Sequence, residues 1–127
     1  MQLKRLVIEG WLLLLYFELA VNLRAFKTIR SIVQSRKVRP ATSESSISSA
    51  ELNRAMDYAC VFYFKRVQCL QRSAATTLLL RRHGWDAEMV TGVQILPYNA
   101  HAWVEIHGEV VNDKPYMHDI YQVLERY

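Results

Sequence analysis

Cysteine is nearly absent: Cys60 and Cys69 are the two among 127 residues. A secreted domain of this size is commonly stapled by several disulfides, so two thiols point to a reducing cytoplasm. Glycine is sparse, with four residues and no cluster, which excludes a glycine-rich loop cradling phosphate. The cysteines and histidines form no close pair of CxxC or HxxxH type, so neither a metal site nor a cofactor is expected. Long apolar runs are missing too. The stretch from Trp11 to Phe17 is flanked by Glu9 and Glu18, whereas a membrane span needs roughly 20 apolar residues. No small-residue cleavage site follows it, so it does not read as a signal peptide.

Charge of either sign is modest. A net charge of +4 does not imply nucleic acid. Many basic residues lie between Lys4 and Arg39, with Arg24, Lys27, Arg30, Arg36, Lys37 and Arg39 close together. A solvated helix face is the plainer reading; contact with an acidic partner or a membrane surface is the lesser one.

What is present suffices for one core. Half the residues are hydrophobic (51%), enough for a single domain of this length. Residues 2 to 36 read as helical, with Leu3, Leu6, Val7, Gly10, Leu13, Leu14, Phe17 and Val21 forming one stripe. Val38 to Ser46, with Pro40 and a Ser/Thr run, reads as a linker. The expected division is therefore an N-terminal helical segment and linker, 1–46, and a second unit, 47–127. Ser48 and Glu51 fit a capping box that starts a helix ending near Phe64 to Val67. Cys69 to His83 reads as a further helix, stopped by Arg81, Arg82, His83 and Gly84. The period then changes to two, giving strands over Glu88–Ile95, His101–Ile106 and Val110–Asp113. The fold class is α+β.

Three residues carry chemistry. Cys69 opens a helix, where unsatisfied N–H groups and the macrodipole lower a thiol's pKa and could hold an oxyanion. Cys60, inside a helix near Phe62 and Phe64, reads as a structural thiol. His101 shares a strand face with Trp103 and Glu105, while Ala102, Val104 and Ile106 face the core. His101 and Trp103 therefore look toward a cleft, whereas His83, His107 and His118 read as surface groups. Asp113 shares the face of His101 if a five-residue connection, Glu105 to Glu109, joins their strands. A two-residue turn at Gly108 and Glu109 turns it away. Asp119 and Asp86 are the competing acids, and Glu105 sits roughly 13 Å along the strand, too far to bond the ring. A thiolate nucleophile, an imidazole base and an orienting acid form a nucleophilic catalyst. Trp103 and Gln68 are candidate substrate contacts.

Cys69-Leu70 with Arg72-Ser73, the run Leu78 to Gly84, His101-Ala102-Trp103-Val104-Glu105 and Val111-Asn112-Asp113 resemble the motifs of one family. It is the transglutaminase-like cysteine proteases of lasso-peptide maturation, the bacterial leader peptidases. The HAWVE motif alone is shared with wider transglutaminase-like proteins; its spacing from Cys69 and Asp113 makes the resemblance specific. The resemblance implies a transglutaminase-like (papain-like) protease core with N-terminal helices packed on a small antiparallel sheet. It implies a Cys69, His101, Asp113 triad that cuts leader from core in a ribosomal precursor, freeing the core's amine. A separate lasso cyclase would then close the ring. The chain resembles the stand-alone protease form, which depends on a separate winged-helix leader-recognition protein. The stripe of residues 3 to 21 and the basic stretch after it are candidate docking surfaces. The alternatives are an amidase or acyltransferase on another substrate, or a non-catalytic peptide-binding module.

Overall fold

Apolar residues on α1 (Gln2–Leu23) recur at helical spacing, and Leu6, Gly10, Leu14 and Phe17 are buried. The helical stretch is two helices rather than one, with α2 covering Phe26–Ser35. The structure, a computed structural model, describes residues 2–23, 26–35, 47–95 and 97–127. The expected linker at 38–46 and the basic residues Arg24, Arg36, Lys37 and Arg39 lie outside the described residues. Among the described residues no helix is long and apolar enough to cross a membrane.

Helix α3 (Ser49–Phe62) starts as its sequence dictates: the Ser48 hydroxyl accepts the Glu51 N–H at 3.1 Å. It ends at Phe62, earlier than expected, where Tyr63 turns extended and its N–H goes to Cys60 O. Helix α4 (Cys69–Arg82) is buried on nearly every side from Gln71 to Arg81. Its stop is the expected one, with Gly84 at φ 89°. The sheet has the order β3-β2-β1-β4, built from β1 (Ala87–Gln94), β2 (Asn99–Ile106), β3 (Glu109–Val110) and β4 (Gln122–Arg126). Strand β4, and the short helix α5 (Met117–Ile120) before it, lie beyond the strands read from the sequence.

The helices form a layer on one face of the sheet. Leu6, Leu14 and Phe17 of α1, Leu52 and Met56 of α3, and Leu79 and Leu80 of α4 pack with Met89, Val104 and Ile106 in one core. The stripe on α1 is therefore a packing face. Helices on both sides of residue 46 share that core. Its buried Glu18 accepts hydrogen bonds from Tyr63 Oη (3.1 Å), Lys65 Nζ (2.7 Å) and Gln71 Nε2 (3.3 Å). Those bonds hold the carboxyl below its usual range, Lys65 foremost, against the opposing effect of burial. They also fix the segment that delivers the chain into α4. At the other end of α4, buried Arg81 donates to Ala87 O (2.9 Å), Tyr127 O (2.8 Å) and Val33 O, binding α2, β1 and the last residue together.

On the other face a smaller core holds Val90, Trp103 and Met117, flanked by Val110, Tyr121 and Val123. Trp103 lies across Gly92 of β1. A Cβ at position 92 would sit 2.7 Å from the indole and 3.0 Å from Gln122 O. Only a residue without a side chain lets the indole and β4 come so close. Gly92→Ala should cost about 1–3 kcal/mol, as overpacking in a rigid core does, which urea denaturation will measure.

Candidate active site

The site forms where the sheet runs out. Strand β2 pairs with β3 as Glu105↔Val110 and Ile106↔Glu109 across a two-residue turn, His107-Gly108. Both turn residues have positive φ, 50° and 83°, the combination that suits tight hairpins. The five-residue connection expected from Glu105 to Glu109 is thus not formed. In this register a continuing strand would turn Asp113 away from His101. The strand stops instead. Val111 N–H still bonds Val104 O at 2.9 Å, but the Val104 N–H goes to the Asn112 side-chain oxygen at 2.7 Å. The amide side chain replaces a backbone carbonyl in the ladder, the chain bends through 111–113, and Asp113 swings back toward β2.

There its Oδ2 lies 2.6 Å from His101 Nε2, and its Oδ1 accepts the Lys114 N–H at 2.9 Å. Asp113 is therefore the acid beside the ring. The other imidazole nitrogen, Nδ1, is left for Cys69, with which His101 is hydrogen-bonded. Cys69 is the first residue of α4 and is exposed.

The early end of β3 also explains how α4 reaches this strand. Peptide groups along a strand point alternately to its two neighbours. Ile106 and Val104 point toward β3, so Ala102 points the same way, past the end of β3. Helix α4 takes both of its groups: Ser73 Oγ donates to Ala102 O at 2.9 Å, and the Ala102 N–H bonds the Cys69 sulfur. Cys69 and Ser73 are one helical turn apart, so α4 is clamped to the residue next to His101. The Asn112 amide N–H₂ also reaches Ser73 Oγ, at 3.4 Å.

These contacts set the charges. The Cys69 thiol is held below its usual range, first by the hydrogen bond with His101. Burial opposes this; the Ala102 N–H, the imidazolium charge and the Leu70 N–H add to it. The same bond is the main reason that His101 is pushed up to about 9, with Asp113 adding to it against burial. Each group favours the charged form of the other: the imidazolium stabilises the thiolate, and the thiolate the imidazolium. Cys60, by contrast, is pushed up by burial, as befits an inert thiol.

Trp103 is not a cleft residue. It is fully buried, its ring stacked 6.2 Å from His101, and its indole N–H donates to Glu105 Oε2 at 2.7 Å. Face alternation gave the correct side, but α5 and β4 cover that side. Gln68 caps α4 without a side-chain bond and lines a small separate cavity with Glu18, Lys65 and Arg66, apart from the groove at Cys69.

Tyr121 and Arg126 had no signal in the sequence, and Glu105 and His118 were read there in other roles. Tyr121 stacks on His101 at 5.4 Å, and its hydroxyl accepts from Asn99 at 3.1 Å. Glu105, 1% exposed, also meets His118 Nε2 and Arg126 Nη1, each at 2.6 Å. Burial raises its pKa, but Arg126, Trp103 and His118 together hold it below the usual range. His118 is thus a partner of a buried charge, and His83 likewise lies 3.3 Å from Glu9. Asp119 and Asp86 play no part beside the ring.

A cysteine at a helix start, a histidine on the adjoining strand and an acid at the next strand's end describe one class of protein. The sequence pattern of the transglutaminase-like superfamily matches residues 12–126, and the chain belongs to that family. Among characterised relatives it is similar to the microcin J25-processing protein McjB of Escherichia coli, 41% identical over 56 residues. That match covers 44% of this chain and 27% of McjB, so the chain matches about a quarter of that relative's length. No solved structure matches.

Three measurements bear on this geometry. Alkylation of Cys69 by iodoacetamide should already be fast well below the ordinary thiol pKa of about 8.5. The imidazolium loses its proton as pH rises through about 9, so a protonated-histidine NMR signal should persist at pH 8 and vanish above that value. Asn112→Ala leaves the Val104 N–H without its partner and should cost about 1–3 kcal/mol, read by chemical denaturation.

Proposed function

We propose that this protein is a cysteine peptidase that removes the leader from a ribosomally made lasso-peptide precursor. The single observation that carries the reading is the meeting of Cys69 and Asp113 on the His101 ring. The resemblance of their motifs to the leader peptidases, and the likeness to a microcin-processing protein, support the choice of substrate.

The chemistry follows from the groups in place. The Cys69 thiolate attacks the carbonyl carbon of the leader–core bond, and the carbonyl electrons move onto oxygen. The first N–H groups of α4, which have no intrahelical partner, are the donors nearest that oxyanion. As the C–N bond breaks, His101 gives its proton to the departing amine, the first amine of the core. Water then attacks the thioester, His101 takes the proton, and the thiolate leaves. Asp113 holds the ring in the tautomer and orientation that both transfers need. No cofactor enters these steps.

The freed amine is the group that a partner cyclase would join to an acidic side chain. On this reading the partners are the precursor's leader, a separate leader-recognition protein and the lasso cyclase, and the reaction takes place in the cytoplasm. Incubation with a lasso precursor and its leader-binding protein, followed by mass spectrometry, tests the proposal. Wild type should release intact leader. Cys69→Ala should release none while keeping its fold, and Cys60→Ala should retain activity within about twofold, since its thiol is half-buried and its charged form disfavoured. Equal losses from both substitutions would refute the assignment.

A further inference from the structure

Beside the sulfur, a cavity of about 330 Å³ opens between the start of α4 and the far end of the sheet. Its size suits a large side chain. Cys69 and His101 stand at one end, and Leu70, Val93, Tyr98 and Leu124 wall the rest. Arg30 and Glu125, the charged groups on it, neutralise one another at 3.0 Å. Nothing on this lining offers an unpaired charge to a ligand.

Cys69 and His101 both line the cavity, so a residue next to the carbonyl that the sulfur attacks has its side chain against this lining.

We propose that this cavity is a specificity pocket that takes a neutral, apolar side chain from the acyl half, within two residues of the cleaved bond. The inference rests on the peptidase reading above and adds the substrate's chemistry to it. A carboxylate or ammonium entering this lining would lose its water without gaining a partner, whereas Leu or Phe would bury apolar surface against Leu70, Val93 and Leu124. Leu124 is half-exposed at the edge of β4, so its replacement can alter selection without emptying the core.

Short N-acetylated peptide aldehydes test this, because they add reversibly to a thiolate and need no partner protein. Leu, Phe, Asp or Lys would be placed in turn at each of the last two positions. Protection of Cys69 from iodoacetamide would be followed by mass spectrometry. At one of the two positions, Leu and Phe should protect at concentrations at least about tenfold lower than Asp or Lys. In Leu124→Glu the order should reverse in favour of Lys, which an unfolded variant could not produce. Equal protection by all four residues at both positions, with Cys69 still rapidly alkylated, would overturn the pocket and leave the peptidase reading standing. Alkylation of Cys69 no faster than that of Cys60 would overturn the peptidase reading, and the pocket with it.

Discussion

The site depends on one residue, Ala102, whose two backbone groups the sheet leaves unpaired. Had β3 continued, the N–H and C=O of Ala102 would be consumed by the ladder, as those of interior strand residues usually are. Because β3 is only Glu109–Val110, both groups are available to α4. One receives the Ser73 hydroxyl and the other meets the Cys69 sulfur. A buried backbone group without a partner is costly, so helix and strand have little freedom to slide apart. The distance between sulfur and imidazole is set by the same bonds that satisfy the fold.

The imidazole is held in turn by groups that need not touch a substrate. Trp103 and Tyr121 stack on it, and Trp103 is tied to a carboxylate with almost no exposure. A buried charge is tolerated only when several donors surround it, and Glu105 has Trp103, His118 and Arg126. The donors come from β2, α5 and β4, so this carboxylate gathers three elements under the ring. That explains why a motif beginning with His101 continues to Glu105: the first residue does chemistry and the others carry its platform.

Much of this was legible in the sequence, and the limits have physical causes. Helices α3 and α4 announced themselves through Ser48, Glu51 and Gly84, because capping is local chemistry. The face of β2 was legible because alternation is local as well. The path to Asp113 was not. Strand arithmetic assumes a strand that continues, and the bend depends on the Asn112 side chain replacing a backbone carbonyl as the partner of Val104 N–H, eight residues away. Trp103 was misread as a cleft residue because α5 and β4 lacked a periodic signal; four and five residues are too few to show one. Glu18, placed in the sequence as a mere interruption of an apolar run, proves to be buried among Tyr63, Lys65 and Gln71. Long-range pairing of that kind leaves no pattern within a window.

Strand β4 brings a further consequence. It sits at the margin of the sheet, bonded to β1 alone, and margins open more readily than interiors. Yet the residues beside and within it supply the Tyr121 stack, the Arg126 counter-charge and a wall of the groove. One margin of the sheet is thus the part that keeps the imidazole aligned. Detaching this border would misalign the ring while leaving most contacts of the helical core in place.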